Sequence, residues 1–260
     1  MIVSRHRGRR KRVTQHQRRT RLDHHFPYNE IAPDTVNVPP RKERVLEVSV
    51  ILFLILPSMI LSLFVSQLGE LQFLIMAVST ILRDLGLLFL VLFLIWRNRE
   101  PVRRLGWRRG RAGTEVLWGI ALFIPVFYGA ALLQALLQQL GLSAPQQHTP
   151  AFQVGESIAE LTLAVLLVTV VAVSEETLFR GYLILRFTQI ANNRWTALIV
   201  SSAIFALGHG YAGNAAIVTT GAIGFALGLV YLWRRSLVAP TVIHFLQNLV
   251  SLVVIPLLGQ

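Results

Sequence analysis

The sequence predicts an all-α fold: a polytopic membrane helix bundle of about seven transmembrane helices, with the N-terminus cytoplasmic. Three observations predict it. The 260 residues are 53% hydrophobic, with a mean hydropathy of +0.56 and only 15% charged, against about 25% charged in ordinary soluble domains. The charges are segregated: of 25 Lys and Arg, 12 precede Val45 and seven more lie between Arg97 and Arg111. What remains is long apolar sequence, divided into stretches close to the ~20 residues that a membrane crossing needs.

Residues 1–44 mix Arg, His, Gln, Asp and Pro without periodicity and read as a disordered basic tail. A net charge of +12 invites a nucleic-acid partner, but a basic segment beside anionic lipid accounts for it, and no nucleic acid is expected. His6, His16, His24 and His25 lie in this tail without a fixed ligand framework. The first apolar run begins near Leu46, too late for a cleaved leader of about 15–30 residues. The chain has no cysteine, which excludes disulfides, Cys-ligated zinc and a thiol nucleophile.

The first predicted span is 46–68, kinked at Pro57. The second is 71–96, where Arg83 and Asp84 either pair or mark the end of an interfacial helix. The third is 114–140, the fourth 157–183, the fifth a short one at 195–210, the sixth 214–233 and the seventh 237–257. The loops support this partition. Arginines occupy 97–111, 186–194 and 234–235, whereas 68–71, 141–156 and 211–213 contain no Lys or Arg. By the positive-inside rule the tail and the arginine loops are cytoplasmic and the C-terminus lies outside. Trp96, Trp107, Trp118, Trp195 and Trp233 fall near those cytoplasmic ends, as interfacial anchors do. Gly221, Gly224 and Gly228 read as helix-packing positions in the sixth span. The expected organisation is a tail at 1–44, N-terminal helices at 45–141 and a functional core at 155–257.

A charged side chain at the bilayer centre costs about 2.5–3.5 kcal/mol, so intramembrane charges need partners and usually a function. Three clusters stand out. In Ser174-Glu175-Glu176-Thr177-Leu178-Phe179-Arg180, Glu176 and Arg180 are four apart and share a helix face, so they can form an ion pair. Glu175 is rotated by about 100° and points elsewhere; it is either a general base or a carboxylate facing a water-filled crevice. In Phe205-Ala206-Leu207-Gly208-His209, the histidine is either structural or catalytic. In His244-Phe245-Leu246-Gln247-Asn248, His244 and Asn248 project to one side, as donors to one point or as interhelical hydrogen bonds. No acidic residue follows Glu176. At about 1.5 Å per residue from the cytoplasmic ends, Glu175 and His244 lie about 10–12 Å deep and His209 about 20 Å.

The ordered set Glu175-Glu176-xxx-Arg180, Phe205-xxx-His209 and His244-xxx-Asn248 resembles the CAAX protease and bacteriocin-processing (CPBP, or Abi) family of intramembrane proteases, over about residues 155–255. The resemblance implies an intramembrane endopeptidase in which Glu175 and His209 activate water. His244 and Asn248 would stabilise the oxyanion, and Glu176 and Arg180 would brace the site. It leaves the cofactor open: a divalent metal such as zinc, held by Glu175, His209 and His244, or none. No HExxH spacing is present. The implied partners are membrane lipids and a membrane-associated peptide or protein substrate. A non-catalytic scaffold or regulator of the same fold, and a small transporter, are the other readings; against the transporter, no internal repeat is visible.

Overall fold

The computed structural model describes residues 39–62, 73–108, 110, 112–142 and 157–258. The tail up to residue 38 with its four histidines, the end of the first predicted span and most of the connection 141–156 lie outside the described residues.

Among the described residues seven helices correspond to the predicted spans: α1 Arg41–Ser62, α2 Phe73–Arg97, α3 Ala112–Gln139, α4 Ile158–Ala191, which runs eight residues past its expected end, α5 Arg194–Leu207, α6 Asn214–Arg234 and α7 Val238–Leu258. No strand occurs among the described residues. Five of them, α2, α3, α4, α6 and α7, are long and apolar enough to cross a membrane, and the protein is an integral, multi-pass membrane protein with a polytopic helical bundle. At 14 residues, α5 is about 21 Å long, short of a ~30 Å hydrocarbon core. α1 begins at Arg41, earlier than the apolar run, because Pro40 precedes a first turn of Arg41, Lys42, Glu43 and Arg44 that continues into the same helix.

The helix ends follow from local chemistry. α4 opens with a capping box: the Ser157 hydroxyl accepts from the Glu160 N–H at 3.2 Å and donates to the Glu160 carboxylate at 2.8 Å. α4 stops at Asn192, which takes a left-handed conformation (φ 54°, ψ 30°), and Asn193 then caps α5 by accepting from the N–H groups of Trp195 and Thr196. Arg83 and Asp84 do not interrupt α2. They pair at 2.8 Å within a continuous helix.

The basic connections gather at one end of the bundle. Glu47 of α1 accepts from Arg97 and Asn98 through one oxygen and from Arg186 and Tyr182 through the other, at 2.6–3.1 Å. Arg186 also donates to Glu100 at 2.6 Å, and Glu100 accepts from Arg104 at 2.6 Å. Glu47, Glu100, Arg104, Tyr182 and Arg186 are all buried, so α1, α2, the 97–107 connection and α4 are clamped by one charged network. The Leu237 N–H donates to the Gly106 carbonyl at 3.1 Å, and Arg234 binds both oxygens of Glu115, bringing in α3, α6 and α7. Trp96, Trp118, Trp195 and Trp233 are exposed at this end. Trp107 instead turns inward and donates to the Thr177 hydroxyl at 3.1 Å.

Two apolar interfaces complete the packing: Phe73 and Ala77 of α2 against Ala164 and Leu167 of α4 and Val253 of α7, and Leu227 and Val230 of α6 against Ala239 and Ile243 of α7. Gly119 lies against Val242, where an added Cβ would come within 2.6 Å of the valine. The third helix therefore docks on the seventh at van der Waals contact, as small residues allow in membranes.

Candidate active site

The Glu175-Glu176 pair lies where α4 changes winding. The helix is α-helical to Glu175 and π-helical from Glu176 to Leu183; such single wide turns recur at functional sites. Thr177 contributes, its hydroxyl bonding back to the Val173 carbonyl at 2.6 Å, an i−4 contact that bends helices. All eight residues of the wide turn are buried.

Glu176 is fully buried and one of its oxygens is doubly engaged. Oε1 accepts from Arg180 Nη1 at 2.7 Å and from His244 Nδ1 at 2.8 Å. The expected ion pair is therefore formed, and it also orients an imidazole from α7. Arg180 donates its other amino group to the Gly224 carbonyl of α6 at 3.2 Å and lies 4.3 Å over the Phe205 ring. One arginine thus ties α4, α5 and α6 together. Glu175 does not point away from this cluster, as a rotation of about 100° had suggested. Its Oε2 lies 3.7 Å from His244 Nε2, without a hydrogen-bond partner among the described residues. The two carboxylates flank one imidazole, Glu176 at Nδ1 and Glu175 near Nε2. Divergence along α4 is compatible with convergence on His244, because the two ring nitrogens face different sides.

Phe205 joins the second motif to the third. Its ring packs edge-on against Phe179 (centroids 5.1 Å apart) and His244 (5.9 Å), and tilted against His209 (4.9 Å). His209 follows the end of α5 and bonds through Nδ1 to the Phe205 carbonyl at 3.1 Å. A carbonyl only accepts, so Nδ1 carries the hydrogen and Nε2 remains as the acceptor of the neutral ring. His209 reaches the cluster across the Phe205 ring, without a hydrogen bond to Glu175 or His244. Asn248, one turn beyond His244 on α7, is half-buried and makes no hydrogen bond among the described residues.

The expected depth mismatch between His209 and the other groups narrows to about one helical turn. The α4–α5 hairpin overshoots the other basic connections: Gly181, ten residues before the end of α4, lies level with Leu105 and Leu237. Counting inward from Trp195 therefore starts too far out. The hairpin is antiparallel, with Ser201 donating to the Phe179 carbonyl at 2.8 Å, so Phe205 comes level with Glu175.

Among the described residues, no three His, Asp or Glu side chains are grouped to hold a metal ion. In the conditional set Glu175, His209 and His244, His209 Nδ1 bonds to a carbonyl and His244 Nδ1 to Glu176, which leaves Nε2 as the open nitrogen of each ring.

Several neighbours were not assigned to the site from sequence. Gly224, read as a packing residue, supplies the carbonyl that holds Arg180, and a Cβ there would meet Phe205 at 2.9 Å and Arg180 Nη2 at 3.4 Å. Gly228 has the packing role expected of it, against Leu198 of α5. Gly224→Ala is expected to displace Phe205 and loosen Arg180. It should cost about 1–3 kcal/mol of stability, the usual range for overpacking, and reduce activity further than Gly221→Ala, whose added Cβ meets only Ala206 at 3.3 Å. Thermal unfolding and turnover of the two variants in detergent check this. Ser174 is buried on the same turn as Glu175, and its hydroxyl has no partner. No spacing rule marks a backbone carbonyl or a single buried serine.

No curated protein and no solved structure matches the chain. Residues 157–250, which carry Glu175, Glu176, Arg180, His209, His244 and Asn248, match the family model described as type II CAAX prenyl endopeptidase Rce1-like, so over that segment the chain is similar to this family of membrane endopeptidases.

Proposed function

We propose that the protein is an intramembrane endopeptidase that hydrolyses a peptide bond of a membrane-associated substrate with a water activated by Glu175 and His209. The observation that carries this reading is the contrast between two adjacent carboxylates. Glu176 is held by Arg180 and His244, whereas Glu175 Oε2 has no partner and faces His244 Nε2 across 3.7 Å. A carboxylate oxygen that is buried without a hydrogen bond is costly to keep unless it has work to do.

In the proposed reaction, Glu175 takes a proton from water while the water oxygen adds to the scissile carbonyl carbon. His209, its Nδ1–H held by Phe205, accepts a hydrogen bond at Nε2 from the remaining O–H of that water and orients the attack. The carbonyl oxygen becomes an oxyanion, stabilised by the Asn248 amide and by His244 when Nε2 carries a proton. Collapse breaks the C–N bond, and the proton held on Glu175 passes to the leaving amine. Glu176 and Arg180 hold His244 in place and touch no reacting atom. The N-terminus and the arginine connections lie on the cytoplasmic side in this reading, with the basic tail against anionic lipid.

The test is cleavage of a membrane-peptide library by purified protein and by Glu175→Gln, each with and without chelator. Products from the wild type alone, unaffected by chelator, are the expected result. Loss of cleavage with chelator and its return with zinc would replace this mechanism by a metal-dependent one. Absence of products from well-folded wild-type protein would sink the enzyme reading.

A further inference from the structure

The buried face of α2 contains a charge that the reaction above does not use. Ala77, Asp84 and Val91 repeat every seven residues along the buried stripe of α2, and Ala77 belongs to the apolar cluster that includes Ala164 and Leu167 of α4. The two helices run in the same direction, because the ends of both converge on Glu47 through Arg97 and Arg186. Asp84 lies seven residues beyond Ala77, and Ser174 seven beyond Leu167, two turns in each case. Asp84 therefore stands at the level of Ser174 and Glu175. Only 3% of its side chain is exposed, and one of its oxygens has no partner.

Its neighbour Arg83 has a half-exposed side chain, and its Nε donates to Asp84 Oδ1 at 2.8 Å. Among the described residues its two amino groups make no hydrogen bond. Arg83 interacts electrostatically with Asp84, with Glu175 and with Tyr211, and Glu175 in turn with Arg83 and His244. The Arg83 guanidinium is bound to the buried Asp84, and the level of Asp84 on α2 brings the partly exposed Glu175 within its electrostatic reach. Bound to Glu175 instead, it would neutralise and block the group that has to accept a proton from water. A bidentate arginine–carboxylate pair is among the strongest side-chain interactions, so this alternative is a real competitor.

We propose that Asp84 is a positioning residue that retains Arg83 and so leaves Glu175 free to act as the base; this rests on the proposed role of Glu175. The arginine's remaining effect on Glu175 is its field, without a hydrogen bond to the reactive oxygen. The N-terminal helices, which lie outside the 157–250 match, in this way help to set the chemistry of the C-terminal domain.

Two readouts test this, one of them independent of turnover. In membranes treated with dicyclohexylcarbodiimide, which modifies accessible carboxyl groups that are not ion-paired, Glu175 is expected to be labelled in the wild type. Labelling should fall in Asp84→Asn and return in Asp84→Asn/Arg83→Gln, while Asp84→Glu, which keeps the charge, should retain it. In the cleavage assay, Asp84→Asn is expected to lose about 10²-fold in kcat, the lower range of a general-base contribution, with KM little changed. The second substitution, Arg83→Gln, should recover most of that loss. A double variant as impaired as Asp84→Asn, in labelling or in kcat, would overturn the proposal, as would an Asp84→Asn protein labelled like the wild type. Should the wild type cleave nothing, the enzyme reading falls, and the labelling series still decides whether Asp84 keeps Arg83 from Glu175.

Discussion

Glu175→Gln is expected to lower cleavage by about 10²–10⁴-fold, the range of a general-base contribution, while the unfolding temperature stays constant or rises. The two effects separate because Glu175 forms no hydrogen bond through its buried oxygen. Removing this charge breaks no hydrogen bond and relieves the desolvation of an oxygen that has no donor to satisfy it. Glu176→Gln should behave in the opposite way. It strips the carboxylate from a fully buried arginine and from the Nδ1 side of His244, and breaking one partner of a buried pair costs about 3–5 kcal/mol. Thermal unfolding and turnover of both variants in detergent are the measurement. Equal destabilisation by the two substitutions would mean that the adjacent carboxylates do not divide into a reactive one and a bracing one.

The charged clamp at the arginine-rich end carries the largest expected effect on stability. Arg186 is fully buried and bonds Glu47 of α1, Glu100 of the connection and Gln189 of its own helix. Arg186→Gln leaves two buried carboxylates short of a cation, one supported by Arg97, Asn98 and Tyr182 and the other by Arg104. A loss of about 3–5 kcal/mol is expected, as for other severed buried pairs. Arg97→Gln makes the comparison, because that side chain is 46% exposed and solvent-facing ion pairs contribute only about 0–1 kcal/mol. If the two variants unfold at the same temperature, the network does not hold α1 and α2 on α4.

The residue order alone specifies the helices. Apolar stretches of membrane length, broken by arginine-rich segments, locate a helix at each of the seven expected places, although α1 starts five residues early and α4 runs eight residues past its expected end, because in a bilayer each backbone polar group must be satisfied within its own helix. The three polar motifs are legible for a related reason: Glu175, Glu176, Arg180, His209, His244 and Asn248 stand out against apolar sequence, where polar groups are expensive. The Glu176–Arg180 pair is legible too, because both residues lie four apart on one helix, a separation that keeps them on one side even through the wide turn.

Contacts between helices were not legible. Glu176 pairs with His244 across 68 residues and Arg180 with the Gly224 carbonyl across 44, and no periodicity within one helix encodes the rotation of another. The wide turn at Glu176–Leu183 shifts side-chain directions away from the regular 100° step, so convergence of both glutamates on His244 depends on a local winding that propensities do not reveal. The overshoot of the α4–α5 hairpin, which sets the depth of His209, depends on where Asn192 and Asn193 end one helix and begin the next. The level of Asp84 beside Glu175 follows from the register of α2 on α4. Within one helix the backbone's own hydrogen bonds dictate geometry, whereas between helices the rotation, register and depth come from close packing of side chains distant in the chain.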